Sequence, residues 1–299
     1  MSRVLVTGAS GFIGHNAVGE LSSQGHEVHA VSSRVKGEAE ARWHRADLLQ
    51  PGTAAELINS VQPELLLHFA WYAEPGKYWT SPENVRWVEA SLALLRAFQA
   101  AGGQRAVMAG TCAEYDWSVP GVMSEGGHPL GPSTLYGHSK TALCEVAEAF
   151  AGETGLSFAW GRIFFLYGPR EHPGRLVSSV ARALVAGQEA KTSEGSQIRD
   201  FMHVADAAGA FAALLLSPVK SVVNIGSGEP VTVREVVEQI AAAAGRPDLV
   251  RAGALPQREG EPPEIVADAS RLREEVGFAR RHTLAEGVED TVAWWRNRA

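Results

Sequence analysis

Short apolar runs alternate with longer segments of helical period along the first half of the chain. The run at residues 64–70 is apolar at almost every position, as expected for a parallel strand buried on both faces. Strand-like segments occupy Arg3 to Thr7, Glu27 to Val31, Arg42 to Ala46, Glu64 to Ala70 and Ala106 to Ala109, and helix-like segments occupy His15 to Gln24 and Glu83 to Ala101. This alternation predicts an α/β fold with a doubly wound parallel sheet.

Beyond Pro169 the alternation is less regular. Gly174 to Gly187, Thr232 to Gly245 and His282 to Arg298 have a helical pattern, with Pro- and Gly-rich breaks between them. We therefore expect a dinucleotide-binding domain over residues 1–168, with returning segments at about 198–225. A smaller C-terminal α/β substrate domain would comprise residues 169–197 and 226–299.

Composition excludes several classes of protein. The 299 residues are 45% apolar and 20% charged, with a net charge of -7, so the chain has no electrostatic footprint for nucleic acid. No apolar run approaches the roughly 20 residues that span a bilayer, and the N-terminus carries no signal-peptide pattern. Cys112 and Cys144 fit neither a disulfide framework nor a metal site. We expect a cytoplasmic protein.

A glycine-rich segment follows the first strand directly. Gly8, Gly11 and Gly14, with Phe12 and Ile13 between the last two, form a GxxGxxG turn before a helix. Glycines allow the backbone to approach a pyrophosphate, and the helix N-terminus offers N–H groups to the anion. This arrangement predicts a Rossmann-type dinucleotide site, with a plain strand-to-helix turn as the alternative.

The end of the second strand bears on the choice of cofactor. An acidic residue there would bind the ribose of NAD, but the chain has Ser32, Ser33 and Arg34. Because Arg34 suits a phosphate, NADP is the predicted cofactor, with NAD possible if Arg34 only begins a loop. Asp47 would bind the adenine amino group of the cofactor, or else cap a helix or turn. The other predicted cofactor contacts are Leu48, Phe69 and Ala70.

Tyr136 and Lys140 are candidates for proton transfer. At the start of a helix they would stand at i and i+4 on one face. A fixed ammonium beside the phenol would favour the phenolate and lower the pKa of Tyr136. An exposed Tyr/Lys pair is the alternative.

Aromatic residues crowd the segment after the fourth strand. Trp71, Tyr72, Tyr78 and Trp79 lie in a loop broken by Pro and Gly, at the strand end where ligands of open α/β sheets bind. The loop forms either a wall of the substrate site or a cap over the core. His68, just before it, is interpreted as a packed core histidine.

Several motifs in order resemble one family. The glycine turn, Thr111 four residues before Tyr115, and Tyr136-x-x-x-Lys140 are followed by 162–169 (RIFFLYGP), 199–206 (RDFMHVAD) and 224–228 (NIGSG). Together they resemble the extended short-chain dehydrogenase/reductase family of nucleotide-sugar epimerases, dehydratases and reductases.

The resemblance implies roles for these residues. Thr111 would orient the substrate oxygen, Tyr136 would be the general acid/base, and Lys140 would hold the nicotinamide ribose. Such chemistry is consistent, because hydride transfer at a sugar carbon needs a proton to leave or reach the adjacent oxygen. Family members commonly dimerise through two helices, which predicts a homodimer. The residues that would supply its apolar face, or would instead pack on the sheet, are Leu92, Leu95, Phe98, Leu143, Val146 and Phe150.

The chain departs from the family after Thr111. Dehydratases and decarboxylases of the family carry acids there, whereas this chain has Cys112 and Ala113, so dehydration is disfavoured. Cys112 is interpreted as a packed thiol, although a catalytic role is conceivable because one branch uses a nearby cysteine. Glu114 would face away from Ala113 if the segment were extended.

The substrate assignment has further departures. Trp87 and Phe165 replace two asparagines that are usual in the family. Arg199 and Arg258 match positions that grip nucleotide phosphates, or else pair with acids at the surface. The predicted substrate-binding residues are Trp71, Cys112, Phe165, Arg199 and Arg258.

These observations lead to one hypothesis and two rivals. The first is an NAD(P)-dependent reductase of a keto sugar attached to a nucleotide, with Tyr136 as proton donor. The second is a nucleotide-sugar epimerase that recycles tightly bound NAD. The third, from another class, is a regulatory module that binds a dinucleotide without catalysis.

Overall fold

The computed structural model of the protein describes residues 1–34, 41–257 and 260–298. Its strands are β1 (Arg3–Thr7), β2 (Glu27–Ser32), β3 (Arg42–Arg45), β4 (Leu65–His68), β5 (Arg105–Thr111), β6 (Ser157–Ile163), β7 (Phe165–Tyr167), β8 (Ala190–Lys191), β9 (Ile198–His203), β10 (Ser221–Ile225), β11 (Pro230–Thr232), β12 (Val250–Arg251) and β13 (Glu264–Ile265). Its helices are α1 (Phe12–Ser23), α2 (Thr53–Val61), α3 (Glu83–Ala100), α4 (Leu135–Thr154), α5 (Leu176–Val185), α6 (Val204–Leu216), α7 (Val233–Ala244), α8 (Ser270–Glu274) and α9 (Leu284–Arg296).

A seven-stranded parallel sheet forms the larger part of the molecule. Its order is β10-β6-β5-β4-β1-β2-β3, so the chain reverses direction across the sheet between β1 and β4. In open α/β sheets the ligand crevice lies beyond the carboxyl ends of the strands at such a point. The predicted Rossmann-type fold is confirmed.

Apolar side chains cover both faces of this sheet. On one face, Val4 and Val6 pack with α1 and α6, and on the other, Leu5 and Leu66 pack with α2, α3 and α4. Successive strand residues point to opposite faces, so a strand covered on both sides is apolar throughout. This explains the unbroken run at residues 64–70.

The element boundaries differ in places from the sequence prediction. Strand β5 extends to Arg105 and Thr111 beyond the predicted 106–109. Arg105 pairs with Leu65 of β4 and Ser157 of β6. Its guanidinium is buried there and donates to the carbonyls of Leu214, Leu215 and Val219. Burial of a charge among carbonyls that satisfy its donors is invisible to a hydropathy pattern.

The C-terminal half contributes a second, smaller sheet. Strand β9 pairs with β7, β11 and β13, and helices α5, α7 and α9 pack around Tyr167 and Phe201. The three helices predicted here are present. The boundaries of the two domains stay a prediction. Within the described ranges, every helix is too short or too polar to cross a bilayer.

Candidate active site

The glycine turn holds the backbone in a shape that side chains would block. Gly8 has φ +66°, and a Cβ on it would lie 2.8 Å from the Ala70 nitrogen. A Cβ on Gly14 would lie 2.2 Å from the Gly8 carbonyl oxygen. The turn leads into α1, capped at Gly11, with no acidic residue in its first turn. An anion therefore has access to N–H groups at the helix start, and the loop fits a dinucleotide pyrophosphate.

The end of β2 lies beside this turn. The hydroxyls of Ser10 and Ser32 are 2.7 Å apart, and the Ser32 hydroxyl also accepts from the Arg34 backbone N–H at 3.1 Å. Ser33 and Arg34 are exposed at the rim. The Asp47 carboxylate accepts from the Leu49 backbone N–H at 3.1 Å, which stabilises a turn.

One cleft of about 1280 Å³ runs from the glycine turn to the second sheet. All the described residues predicted to bind cofactor or substrate line it: Gly8, Gly11, Phe12, Ile13, Gly14, Ser33, Arg34, Asp47, Leu48, Phe69, Ala70, Trp71, Thr111, Cys112, Tyr136, Lys140, Phe165 and Arg199. Arg258 lies outside the described residues. Convergence of such distant segments on one cleft is what a dinucleotide enzyme requires.

Helix α4 brings Lys140 into the interior. Thr134 caps the helix by accepting from the Gly137 N–H at 3.2 Å, so Tyr136 lies in the first turn and Lys140 one turn later. The Lys140 ammonium donates to the Ala109 carbonyl at 2.8 Å and lies 3.7 Å above the Trp71 ring. Burial lowers the pKa of Lys140 to about 7, while the negative charge of Glu114 opposes the shift.

Tyr136 differs from the expectation. Burial raises the pKa of its phenol, and Tyr78 adds to the shift, while a hydrogen bond with Thr111 opposes it. The predicted lowering of this pKa is therefore wrong for the protein alone. Desolvation disfavours the phenolate, and the Lys140 ammonium is engaged by Ala109 and Trp71. The phenol is held in the form that donates a proton.

The segment after Thr111 is a tight turn. Residues Cys112–Glu114 form one turn of 3₁₀ helix, so the segment is not extended and the condition for Glu114 to face away from Ala113 is not met. The carboxylate of Glu114 folds back and accepts from the Thr111 N–H at 2.8 Å. The Cys112 thiol lines the cleft, but burial raises its pKa to about 12, so it remains a neutral thiol.

Aromatic rings surround Tyr136. The centroids of Trp71, Tyr78 and Trp79 lie 6.5, 4.9 and 5.7 Å from that of Tyr136. Trp117, which donates to the Cys112 carbonyl at 2.8 Å, packs edge-on against Trp79. These rings form a wall of the cleft, which was one of the two predicted alternatives.

Asn84 anchors this wall and was missed in the sequence. Its side-chain oxygen accepts from the Trp71 indole at 2.8 Å, and its amide donates to the carbonyls of Tyr78 and Ser81. The residue has no exposed surface. An asparagine in the first turn of a helix usually signals a cap, and nothing in the local pattern distinguishes this role.

Phe165 and Arg199 lie at the far end of the cleft. The Arg199 guanidinium lies 5.6 Å above the Phe165 ring and donates to the Glu261 carboxylate at 2.9 Å. Arg199 is buried, so the predicted surface alternative does not describe it. Trp87 lies on α3 and tilts against Trp71 at 6.2 Å.

His68 lies beneath the cleft in the core, as predicted. Its ring nitrogens are 2.6 Å from the Thr7 hydroxyl and 2.9 Å from the Ser91 hydroxyl. Burial lowers its pKa to about 3, so the ring is neutral and structural. The part of the chain that the structure describes holds no cluster of His, Cys, Asp or Glu suited to a metal ion.

A family model for the NAD dependent epimerase/dehydratase family matches residues 4–226. The chain belongs to that family. The predicted family and the class of NAD-dependent enzyme are thereby confirmed, as the glycine turn and the Tyr136-x-x-x-Lys140 motif had indicated.

Relatives of the family align over almost the whole chain. A UDP-glucose 4-epimerase of Corynebacterium glutamicum is 29% identical over 98% of this chain and 95% of its own. A Thermus thermophilus UDP-glucose 4-epimerase in complex with NAD has a TM-score of 0.87 and 28% identity, covering 99% of this chain and 100% of its own. MoeE5, in complex with UDP-glucuronic acid and NAD, has a TM-score of 0.86 and 34% identity, with coverages of 99% and 100%.

These similarities change the order of the two enzyme hypotheses. They favour the epimerase alternative over the keto-sugar reductase that was predicted first. The similar structures carry NAD, whereas NADP was predicted first. Arg34 is consistent with NADP, but an exposed arginine at the cleft rim does not by itself select the 2′-phosphate.

Proposed function

We propose that the protein is an NAD-dependent epimerase that inverts C4 of a sugar attached to a nucleoside diphosphate. The observation that carries the proposal is that Thr111, Tyr136 and Lys140 line one cleft, while the segment after Thr111 turns no carboxylate into that cleft. The next side chain, Cys112, is a neutral thiol, and Glu114 is turned into the core. A dehydratase needs a base next to the ketone, and the segment after Thr111 supplies none.

The glycine turn would hold the pyrophosphate of NAD, and Lys140 would contact the nicotinamide ribose. Bound NAD supplies a reversible hydride acceptor and, in its oxidised form, a positive charge. A positive charge near Tyr136 favours the phenolate, which takes the proton from the sugar C4 hydroxyl. Thr111 would orient that oxygen. Tyr136 would return the proton to it as the hydride is added back to the opposite face of C4, which restores a secondary alcohol of inverted configuration.

Arg199 and Phe165 would bind the nucleoside diphosphate. The guanidinium is planar and its donors suit phosphate oxygens, although Glu261 already engages one of them. The aromatic wall would face the sugar ring, whose C–H groups pack well on indole faces. Nucleotide-activated sugars remain the predicted substrate class, and the cytoplasm the predicted location.

The experiment is turnover with and without added cofactor. Purified protein is incubated with UDP-glucose and, separately, UDP-glucuronic acid, and the C4 epimer is followed by proton NMR. Interconversion without added cofactor, with NAD released on denaturation, supports the epimerase. Stoichiometric consumption of NADPH with a keto sugar would instead restore the reductase hypothesis.

The homodimer stays a proposal with its own test. Of the six residues predicted for its apolar face, Leu95, Phe98 and Leu143 are buried inside the subunit, whereas Val146 is 51% exposed. Val85 on α3 is 49% exposed. An interface would therefore use Val85 and Val146, and Val146→Glu should convert a dimer to a monomer in size-exclusion chromatography with light scattering.

A further inference from the structure

A fully buried carboxylate stands directly behind Thr111. Glu114 has no exposed surface, and it accepts from three groups: the Thr111 N–H at 2.8 Å, the Trp160 indole at 3.0 Å and the Arg162 guanidinium at 2.6 Å. A Cβ on Gly110 would lie 2.0 Å from the Trp160 indole nitrogen and 2.6 Å from the Glu114 carboxylate. The glycine therefore leaves room for the carboxylate and its indole donor.

The contacts of Glu114 fix the orientation of Thr111. The carboxylate holds the Thr111 backbone N–H, while the Thr111 hydroxyl accepts from the Ala113 N–H at 3.2 Å. Both ends of the residue are therefore constrained. The same hydroxyl hydrogen-bonds with Tyr136. Glu114 is therefore connected to the proposed proton donor through the side chain of Thr111.

A buried ion pair is weak evidence of a stabilising role, because replacing one with apolar side chains of similar volume is often neutral or stabilising. The charge of Glu114 also lies close to the proton-transfer groups. Helix α4 packs directly against this turn, and the Lys140 ammonium lies 5.7 Å above the ring of Trp160, whose indole donates to Glu114.

The negative charge of Glu114 acts on both proposed proton-transfer groups. It favours the protonated form of Lys140 and raises the pKa of Tyr136. Burial lowers the pKa of Lys140, and the charge of Glu114 partly offsets that decrease. The titratable and charged groups around Glu114 and Lys140 are Arg162 from β6, Tyr136 and Cys144 from α4, Cys112 from the turn, and His68 from β4. Tyr115, next to the turn, packs under the Arg162 guanidinium at 4.6 Å.

We propose that Glu114 is a positioning residue that clamps Thr111 and keeps Lys140 positively charged during the reaction. It touches neither sugar nor cofactor, and it acts through Thr111, Lys140 and Tyr136. The inference rests on the proposed function, and it adds a residue outside the Thr111, Tyr136 and Lys140 set.

The test is the pH dependence of kcat in Glu114→Gln. The variant retains the shape but loses the charge, so Lys140 should lose its proton at lower pH. The alkaline limb of the profile should move down by about one pH unit or more, and kcat should fall while the KM for the nucleotide sugar changes little. An unchanged pH profile would overturn the proposal.

Two control variants separate a general loss of stability from this effect. Glu286 has the same Thr-x-x-Glu pattern at the exposed start of α9, and Asp206 is an equally buried carboxylate that accepts from the Arg281 and His282 N–H groups. Glu286→Gln and Asp206→Asn should leave the pH profile where it is. A shift of the same size in either would show that any lost carboxylate produces it, which would overturn the proposal.

A measurement without turnover follows Lys140 directly. The chain has five lysines, so protein labelled with ¹³C-lysine gives few signals, and Lys140→Met assigns the relevant one. In Glu114→Gln the Lys140 titration should move to lower pH. An unmoved titration in an active protein refutes this inference, whereas a moved titration in a protein that epimerises no sugar refutes the proposed function alone.

Glu114→Asp covers the case in which the glutamine variant does not fold. It keeps the charge but shortens the reach to the Thr111 N–H. Under the proposal kcat falls and the Lys140 titration stays in place. A Lys140 titration that moved with the charge retained would contradict the electrostatic role.

Discussion

The glycine turn and the proton-transfer site, formed by Thr111, Tyr136, Lys140 and the aromatic wall, lie in the same cleft but are built differently. The turn is seven consecutive residues that present their backbone to the cleft, because Gly8 and Gly14 leave no room for a side chain. The proton-transfer site is made by side chains from β5, the following turn, α4 and the loop after β4. A site made of backbone can be recognised from the spacing of nearby residues, whereas a site made of side chains depends on how distant segments pack.

The largest predicted effect is on turnover, from removal of one oxygen atom in the proton-transfer site. Tyr136→Phe removes only the hydroxyl, and turnover should fall by a factor of about 100 or more because proton transfer is lost. NAD affinity, measured by fluorescence titration, should stay within a few-fold of wild type. Tyr167→Phe, which removes a buried hydroxyl of the smaller lobe that donates to Leu284, is the matched control. Activity that survived in Tyr136→Phe would assign the proton to another group.

A change in the glycine turn should instead weaken the binding of NAD. In Gly14→Ala the added Cβ meets the Gly8 carbonyl, and such overpacking costs about 1–3 kcal/mol. The free variant relieves this clash by shifting the turn, and NAD binding must restore the wild-type backbone at that cost. NAD affinity should therefore fall by about 5- to 150-fold, measured by the same titration. Gly152→Ala, at a helical glycine with no atom within 4 Å of the added Cβ, should bind NAD as wild type does. Equal loss in both variants would mean that general destabilisation, and not the turn, sets the affinity.

His68 lies beneath the cleft, where its ring hydrogen-bonds with Thr7 at the base of the turn and with Ser91 on α3. Its pKa is about 3 when folded and near 6.5 when unfolded. The unfolded chain thus binds an extra proton between these values, and stability present above pH 6.5 is lost as pH falls. The slope approaches about 1.4 kcal/mol per pH unit. Between pH 6.5 and pH 5, the free energy of unfolding measured with urea should fall less in His68→Gln than in the wild type. Equal decreases in the two proteins would contradict this prediction.

The smallest effect concerns the ring beneath Lys140. Trp71→Phe keeps an aromatic face but loses the bond to Asn84, whereas Trp71→Leu loses both. The difference between the two in free energy of unfolding should be about 0.5–2 kcal/mol, the usual size of a cation–π contact. Chemical denaturation at pH 6, where Lys140 is charged, measures it. Identical stabilities would show that the ring face contributes nothing to holding the ammonium.

The contrast between a site made of backbone and a site made of side chains also explains how much could be predicted from the sequence. The alternation of strands and helices along the first half of the chain, the helix that begins near Tyr136 and the glycine turn follow from local patterns, and all are present. The direction of the Tyr136 pKa, the inward fold of Glu114 and the role of Asn84 were wrong or missed. Each depends on burial by segments remote in the chain, since Arg162 and Trp160 complete the surroundings of Glu114 from β6. Spacing identifies these residues but carries no measure of their desolvation.

The tryptophans that line the cleft should make ligand binding detectable by intrinsic fluorescence. Of the eight tryptophans in the chain, Trp71, Trp79, Trp87 and Trp117 line it. Indole emission responds to neighbouring charge and polarity, so a large share of the protein's intrinsic fluorescence originates where its ligands would bind. The unmodified protein therefore carries its own optical reporter, and binding of a nucleotide or a sugar should alter the emission without any attached dye.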